Sequence, residues 1–156
     1  MTRILILSDS HRADAQLRRA AELFCKGGFD AVVHLGDVFP DARRFCALTG
    51  HMPLCVRGNC DGPLADAPRE RVEELGGARL FLAHGDAYGV KSSPTRLSYR
   101  AEELGCRAAL FGHTHRAFAG YVGGALLINP GALRDGQYAE LRIEADGRLV
   151  PRLLSL

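Results

Sequence analysis

The chain has 156 residues, 47% hydrophobic and 24% charged, and twenty Lys plus Arg against eighteen Asp plus Glu leave a formal charge of +2. That length and balance suit one folded domain over residues 1–156 and exclude intrinsic disorder as the default. The charges alternate in sign without forming a block, so nothing electrostatic argues for a nucleic-acid or membrane partner. Five cysteines (Cys25, Cys46, Cys55, Cys60 and Cys106) are odd in number and show no CxxC spacing, which argues against a disulfide framework or a structural zinc site. The apolar run Ile4–Leu7 is too short for a signal-peptide core of about 7 to 15 residues. No stretch approaches the roughly 18 apolar residues of a membrane span, and the expected compartment is the cytoplasm.

Ile4–Leu7 reads as a strand buried on both faces of a sheet. A helix follows from Asp14, with Leu17, Ala20, Ala21 and Phe24 at i, i+3, i+4 and i+7, and Gly27-Gly28 stops it. The run from Ala31 to Leu35 completes a β-α-β opening, which predicts a parallel pair with a right-handed crossover. Residues 41–48 read as a short helix and 52–56 as a third strand. Residues 69–75 and 79–83 read as strands joined by the turn Gly76-Gly77. A helix over 95–104 and a strand over 108–111 come next. The tail, with runs at 118–122, 125–128, 138–143 and 149–154, reads as an antiparallel meander.

Five of these apolar runs end in a cluster of Asp, His or Asn: Asp9-Ser10-His11, Gly36-Asp37, Gly58-Asn59, His84-Gly85 and Gly112-His113-Thr114-His115. Ligand sites of α/β sheets form at the carboxyl ends of the strands, so five such ends can converge. Asp9, His11, Asp37, Asn59, His84, His113 and His115 offer oxygen and imidazole nitrogen but no thiolate. That set suits Mn²⁺, Fe²⁺, Zn²⁺ or Ni²⁺, with Mg²⁺ less at home among imidazoles. Seven ligands exceed the need of one ion and fit two divalent ions sharing a carboxylate, roughly 3.5 to 4 Å apart. An isolated Asp-x-His means little and an isolated Gly-His-x-His carries more weight without deciding; their ordered recurrence at strand ends carries the reading.

These clusters, with Gly58-Asn59-Cys60-Asp61, resemble the five ordered motifs of the calcineurin-like metallophosphoesterase superfamily. Tyr88-Gly89-Val90-Lys91 and Asn129-Pro130-Gly131 resemble its small bacterial and archaeal phosphodiesterase branch, so the likeness runs from residue 3 to about residue 143. The resemblance implies an α/β fold, a four-layer αββα sandwich of two mixed β-sheets flanked by helices. It also implies two metal ions at one edge. By motif, Asp9, His11 and His115 would hold one ion, Asn59, His84 and His113 the other, and Asp37 would bridge them. A metal-bound hydroxide would be the nucleophile, with Mn²⁺ the leading metal.

Many relatives carry a histidine after the motif asparagine, where Cys60 stands here. The phosphodiesterase branch resembles this chain in that cysteine, which favours diesters over monoesters. The thiol could donate a proton or only fill space, and both readings stay open. Asp61 is expected to orient a ligand. Arg12 and Arg57 are candidates for holding a substrate phosphate, with a solvated surface arginine as the plain alternative. Asp86 replaces a histidine frequent in relatives, and Ala132 a serine. His34, inside an apolar strand, is expected to pack behind the site, and His51 to be an ordinary loop residue. The expected partner is a small phosphoester, with a homo-oligomer left open. A rival reading is a protein-interaction scaffold on the same fold, like a retromer subunit that lacks part of the histidine set. A nuclease is a weaker third, since no basic stripe or interleaved aromatics appear.

Overall fold

The computed structural model describes all of residues 1–156. Strand β1 (Thr2–Leu7) shows why the sequence opens on consecutive apolar residues. Ile4 and Ile6 enter one hydrophobic layer while Leu5 and Leu7 enter another, and all four are wholly buried. Alternation across a pleated strand sends neighbours to opposite faces, so a strand covered on both sides must be apolar throughout.

One covering layer is helix α1 (Asp14–Gly27), whose buried residues are Leu17, Ala20, Ala21 and Phe24. Asp14 in its first turn and Lys26 in its last complement the helix dipole, and Gly28 ends it in the left-handed conformation at φ 65°. Strand β2 (Ala31–His34) returns parallel to β1, pairing Ile4 with Ala31 and Leu7 with His34. Helix α2 (Phe39–Thr49) starts two residues before the expected Asp41, because Pro40 occupies its first turn, where a missing N–H costs nothing. Strand β3 is shorter than expected, with only Leu54–Cys55 paired to β2.

The second sheet begins with the hairpin of β4 (Glu70–Leu75) and β5 (Ala78–Ala83), turning at Gly76-Gly77 as read from the sequence. Helix α3 (Thr95–Glu103) leads to β6 (Ala108–Leu110), parallel to β5. The tail corrects the expected meander, because it divides between the two sheets. Strands β7 (Phe118–Val122) and β8 (Ala125–Asn129) form an antiparallel hairpin in the second sheet, where β8 runs parallel to β6. Strands β9 (Gln137–Ile143) and β10 (Leu149–Ser155) form another in the first, where β9 is antiparallel to β1. Burial gives the reason: all five residues of β8 are buried, so it requires neighbours on both edges and both faces.

The sheet orders are β10-β9-β1-β2-β3 and β4-β5-β6-β8-β7. Between them lies one core drawn from both, including Ile4, Ile6, Val33, Leu80, Leu110, Ile128 and Leu141. Leu5, Leu7 and Val32 pack outward with α1 residues and Phe45 of α2, while Phe81, Ala109 and Leu127 pack outward with Leu97 and Ala101 of α3. The result is the four-layer αββα sandwich. Each fully buried Leu, Ile or Phe contributes about 1.5–3 kcal/mol, so the central layer anchors the strand ends that carry the polar clusters.

Candidate metal centre

Hydrogen bonds continue past the ends of β1 and β2 and draw their exits together. Leu35 N–H donates to Leu7 O at 2.8 Å and Asp9 N–H to Gly36 O at 3.1 Å. Ser8, Asp9 and Ser10 are therefore wholly buried, polar though they are. From the second sheet, Gly112 N–H donates to His84 O at 2.9 Å and His113 N–H reaches the Asp9 carboxylate at 3.1 Å. Two glycines make this approach sterically allowed. A Cβ on Gly58 would stand 2.1 Å from Asp37 Oδ1, and one on Gly112 would stand 1.9 Å from Ser8 Oγ and 2.6 Å from Asp9 Oδ2.

Asp9, His11, Asp37 and His115 each bring a ligand atom into one cluster in which all four atoms lie within 4.8 Å of one another. His115 Nε2 is 3.0 Å from Asp9 Oδ1, and His11 Nε2 is 3.7 Å from Asp9 Oδ1 and 3.6 Å from Asp37 Oδ2. His84 Nε2 joins from the other side at 3.4 Å from Asp37 Oδ2 and 3.0 Å from Asn59 Oδ1. His113 stands edge-on to His84 with ring centroids 5.0 Å apart. Asp37 Oδ2 thus lies between the His11 and His84 nitrogens. All seven expected ligands are brought to this one edge.

The surrounding contacts orient these groups. Asp61, one of the expected site residues, spends its carboxylate on backbone: it accepts from Asp37 N–H at 3.1 Å, Gly58 N–H at 2.9 Å and Phe39 N–H at 2.6 Å. Cys60 N–H donates to Asp37 Oδ1 at 2.9 Å, while its exposed sulfur receives the Asn59 amide at 3.7 Å. Buried His34 accepts the Gly36 N–H at Nδ1 and meets Ser10 Oγ at 3.0 Å from Nε2, and Ser10 Oγ donates to Asp41 Oδ2 at 2.6 Å. Burial lowers the His34 pKa and favours the neutral ring, against the pull of Asp41. Sequence reading missed Asp41, which also accepts the Arg12 N–H at 2.8 Å and so ties α2 to the first cluster. Only Asp-rich helix starts signal it, and those are common. Asn129 donates to Gly112 O at 2.9 Å and Thr114 Oγ1 at 3.0 Å, bracing the loop that bears His113 and His115.

The donor chemistry fits divalent metal ions. His84 Nδ1 lies 2.7 Å from Leu35 O, an oxygen that can only accept, so the hydrogen resides on Nδ1 and Nε2 presents a lone pair. That lone pair faces the oxygens of Asp37 and Asn59, three acceptors converging with no donor among them. His11 Nε2 is buried and has no hydrogen-bond partner at all. Buried polar atoms are ordinarily satisfied, and a cation is what such a set lacks. Burial opposes the charge on His84, yet Asp37 and Asp9 raise its pKa; burial likewise works against the Asp37 carboxylate, which His84 and the Cys60 N–H hold well below the usual carboxylate range.

The candidate substrate residues separate. Arg12 is exposed beside His11, with its side chain directed at no acidic partner. Arg57 donates its guanidinium to Pro63 O at 3.2 Å and its N–H to Pro68 O at 2.7 Å, bracing the loop after β3. Asp86 pairs with Arg69 at 3.0 Å. His51 lies in an exposed loop, bonded to Thr49.

Residues 2–143 match the calcineurin-like phosphoesterase superfamily domain. The chain belongs to that superfamily. It is thus a phosphoesterase by class, a hydrolase acting on phosphoric ester bonds. The chain is 34% identical over 153 residues to the probable metallophosphoesterase YsnB of Bacillus subtilis, covering 94% of this chain and 88% of that one. It is 28% identical over 155 residues to phosphodiesterase YfcE of Escherichia coli K12, covering 85% and 80%. Its fold also superimposes on vacuolar protein sorting 29 from Cryptosporidium parvum with a TM-score of 0.75 over 99% of this chain and 97% of that one, at 17% identity. That last likeness is one of fold.

Proposed function

We propose that this phosphoesterase hydrolyses small phosphodiesters with two divalent ions held at the converging strand ends, residues 1–156 acting as a single domain. The observation that carries the reading is the convergence of Asp9, Asp37 and Asn59 oxygens with the His11, His84 and His115 nitrogens, His11 Nε2 being buried without a partner. Asp9, His11 and His115 would hold one ion, Asn59, His84 and His113 the second, and Asp37 would serve both. Bound there, such ions would polarise the phosphoryl oxygens and make water acidic enough to serve as a hydroxide nucleophile near neutral pH, with Mn²⁺ the first metal to test.

The chain's own residues supply position. Asp61 and Cys60 fix Asp37 through backbone bonds, and we assign them positioning roles. The His84 tautomer is set by Leu35 O, so its ligand face stays turned to Asp37 and Asn59. The diester preference draws support from Cys60 in place of a histidine and from the name of the Escherichia coli relative. The scaffold reading has a fold neighbour in the vacuolar sorting protein but leaves the unpartnered His11 without a purpose.

The decisive experiment strips the protein of metal and restores Mn²⁺, Ni²⁺, Zn²⁺ or Mg²⁺ singly. Turnover of bis(4-nitrophenyl) phosphate is then compared with that of 4-nitrophenyl phosphate, beside Asp37→Ala. Metal-dependent turnover favouring the diester is expected, falling by roughly three orders of magnitude in the variant. Tight metal binding with neither ester cleaved would replace the enzyme by the scaffold. A faster monoester would overturn the diester assignment alone.

A further inference from the structure

Three residues that directly follow expected ligands in the chain, Arg12 after His11, Val38 after Asp37 and Cys60 after Asn59, line one groove of about 560 Å³. The groove therefore begins where the ligand set ends. Arg43 of α2 and Leu64, a residue 97% exposed, also line it. Phe39 and Arg43 stand four positions apart on α2, on one face of the helix, and the Arg43 guanidinium lies over the Phe39 ring at 5.4 Å from its centroid. Neighbouring Arg44 is turned the other way and pairs with Asp14 at 3.4 Å. Arg12 contributes only its backbone N–H to Asp41, which leaves its guanidinium free. The one carboxylate on the groove, Asp61, is already engaged by three backbone N–H groups.

A groove with two guanidiniums that pair with no carboxylate and an apolar rim, abutting the proposed hydrolytic site, has a definite chemical complement. Guanidinium forks match phosphate geometry, and an apolar lip accommodates an organic body between two anions. On the proposed two-metal reading the scissile phosphoryl group would sit among the metal ligands, which leaves the arginines to a different group. We propose that the substrate is a phosphodiester one of whose arms ends in a second phosphate, held by Arg12 and Arg43 while the organic part of that arm lies along Val38 and Leu64. The proposal rests on the phosphodiesterase reading and specifies its substrate class.

The test uses two chromogenic diesters differing only in the additional anion, the 5′-(4-nitrophenyl) esters of thymidine 5′-phosphate and of thymidine 3′,5′-bisphosphate. With the metal-loaded full chain, kcat/KM for the bisphosphate ester is expected to exceed that of its partner about tenfold, an advantage shrinking with added salt because the pair of arginines is exposed. Arg43→Gln should cut the ratio at least threefold, and the Arg12→Gln, Arg43→Gln pair should bring it near unity, while Arg44→Gln keeps it. Calorimetric titration with thymidine 3′,5′-bisphosphate against thymidine 5′-phosphate supplies a readout independent of turnover, and the same variants should abolish the difference. Equal kcat/KM for both esters, or a ratio that survives the double variant, would overturn this inference and leave the phosphodiesterase reading standing. Failure to cleave either ester would strike that reading instead, and equal affinities for the two nucleotides in the titration would then sink the groove proposal on its own evidence.

Discussion

The two ends of the sandwich solve the same problem, reversing or redirecting the chain, with different residues. At the amino ends of the parallel strands, left-handed backbone is left to glycine: Gly28 before β2, Gly76 and Gly77 before β5, Gly105 before β6, Gly123 before β8 and Gly147 between β9 and β10. At the carboxyl ends, seven residues with side chains adopt positive φ, namely Asp9, His11, Arg12, Asp37, Val38, His113 and His115, at 44° to 68°. A Cβ in that conformation costs roughly 1–2 kcal/mol. Five of the seven are expected metal ligands and the other two follow one directly. Turns that only connect use the residue free of the penalty, and turns that must aim a side chain accept it.

The sharpest way to break this contrast is to add one methyl group at each end. Gly112→Ala places a carbon within 1.9 Å of Ser8 Oγ and 2.6 Å of Asp9 Oδ2, and Ser8 cannot yield freely because its hydroxyl is bonded to that same carboxylate at 2.6 Å. The expected cost is about 3 kcal/mol by urea denaturation, with phosphodiester turnover lost through displacement of Asp9. Gly77→Ala meets nothing within 4 Å and bears only the conformational penalty of φ 78°, about 1 kcal/mol, with turnover intact. Equal costs, or retained activity in Gly112→Ala, would mean that the carboxyl end is not the tightly fitted region described.

Much of that end was legible in the sequence because the signal is local. The polar clusters interrupt apolar runs at Asp9, Asp37, Asn59, His84 and His113, and a strand's end is marked by the residues themselves. The layered fold followed from the family resemblance and from the both-face burial of Ile4–Leu7. What escaped is long-range. Nothing near Asp41 indicates that it will hold Ser10, thirty-one positions earlier in the chain. Nothing in the tail's even spacing indicates that β7–β8 and β9–β10 belong to different sheets, although the unbroken apolar Ala125–Ile128 run hints that β8 is covered on both faces. The setting of Arg57 is long-range too. Its place beside Gly58 gives no sign that one guanidinium nitrogen donates to Pro63 O in the fold.

Metal loading offers a second, smaller test of the difference between the ends. The carboxyl end gathers carboxylate oxygens and imidazole nitrogens, so a metal ion that binds only the folded state should stabilise there by mass action, about 2.7 kcal/mol at a free concentration one hundred times Kd. For a chain of this length that corresponds to a rise in Tm of roughly 5–10 °C with Mn²⁺ over the metal-stripped protein. His11→Ala removes the buried unpartnered Nε2 and should reduce the rise by at least half, whereas Cys25→Ala on the exposed side of α1 should leave it whole. An unchanged Tm on metal addition would indicate that the converging acceptors do not form a cation site in solution.

The smallest effect tests whether the strain itself is dispensable where no ligand is carried. Val38 has φ 68° and ψ 68°, an unfavourable conformation for a β-branched residue, yet it binds nothing in the cluster and sits there because Asp37 precedes it. Replacing it with glycine relieves about 1–2 kcal/mol of steric cost. Against this stand the greater freedom of glycine in the unfolded chain, about 0.5–1 kcal/mol, and the loss of a half-buried side chain. Val38→Gly should therefore be neutral to about 0.5 kcal/mol stabilising, a Tm change of no more than about 2 °C upward, whereas a β-branched residue at a relaxed position would lose stability on the same change. A loss beyond 1 kcal/mol would mean that Val38 contributes packing that the backbone angles conceal, and the left-handed run at Asp37-Val38 would then be held for stability as well as for aim.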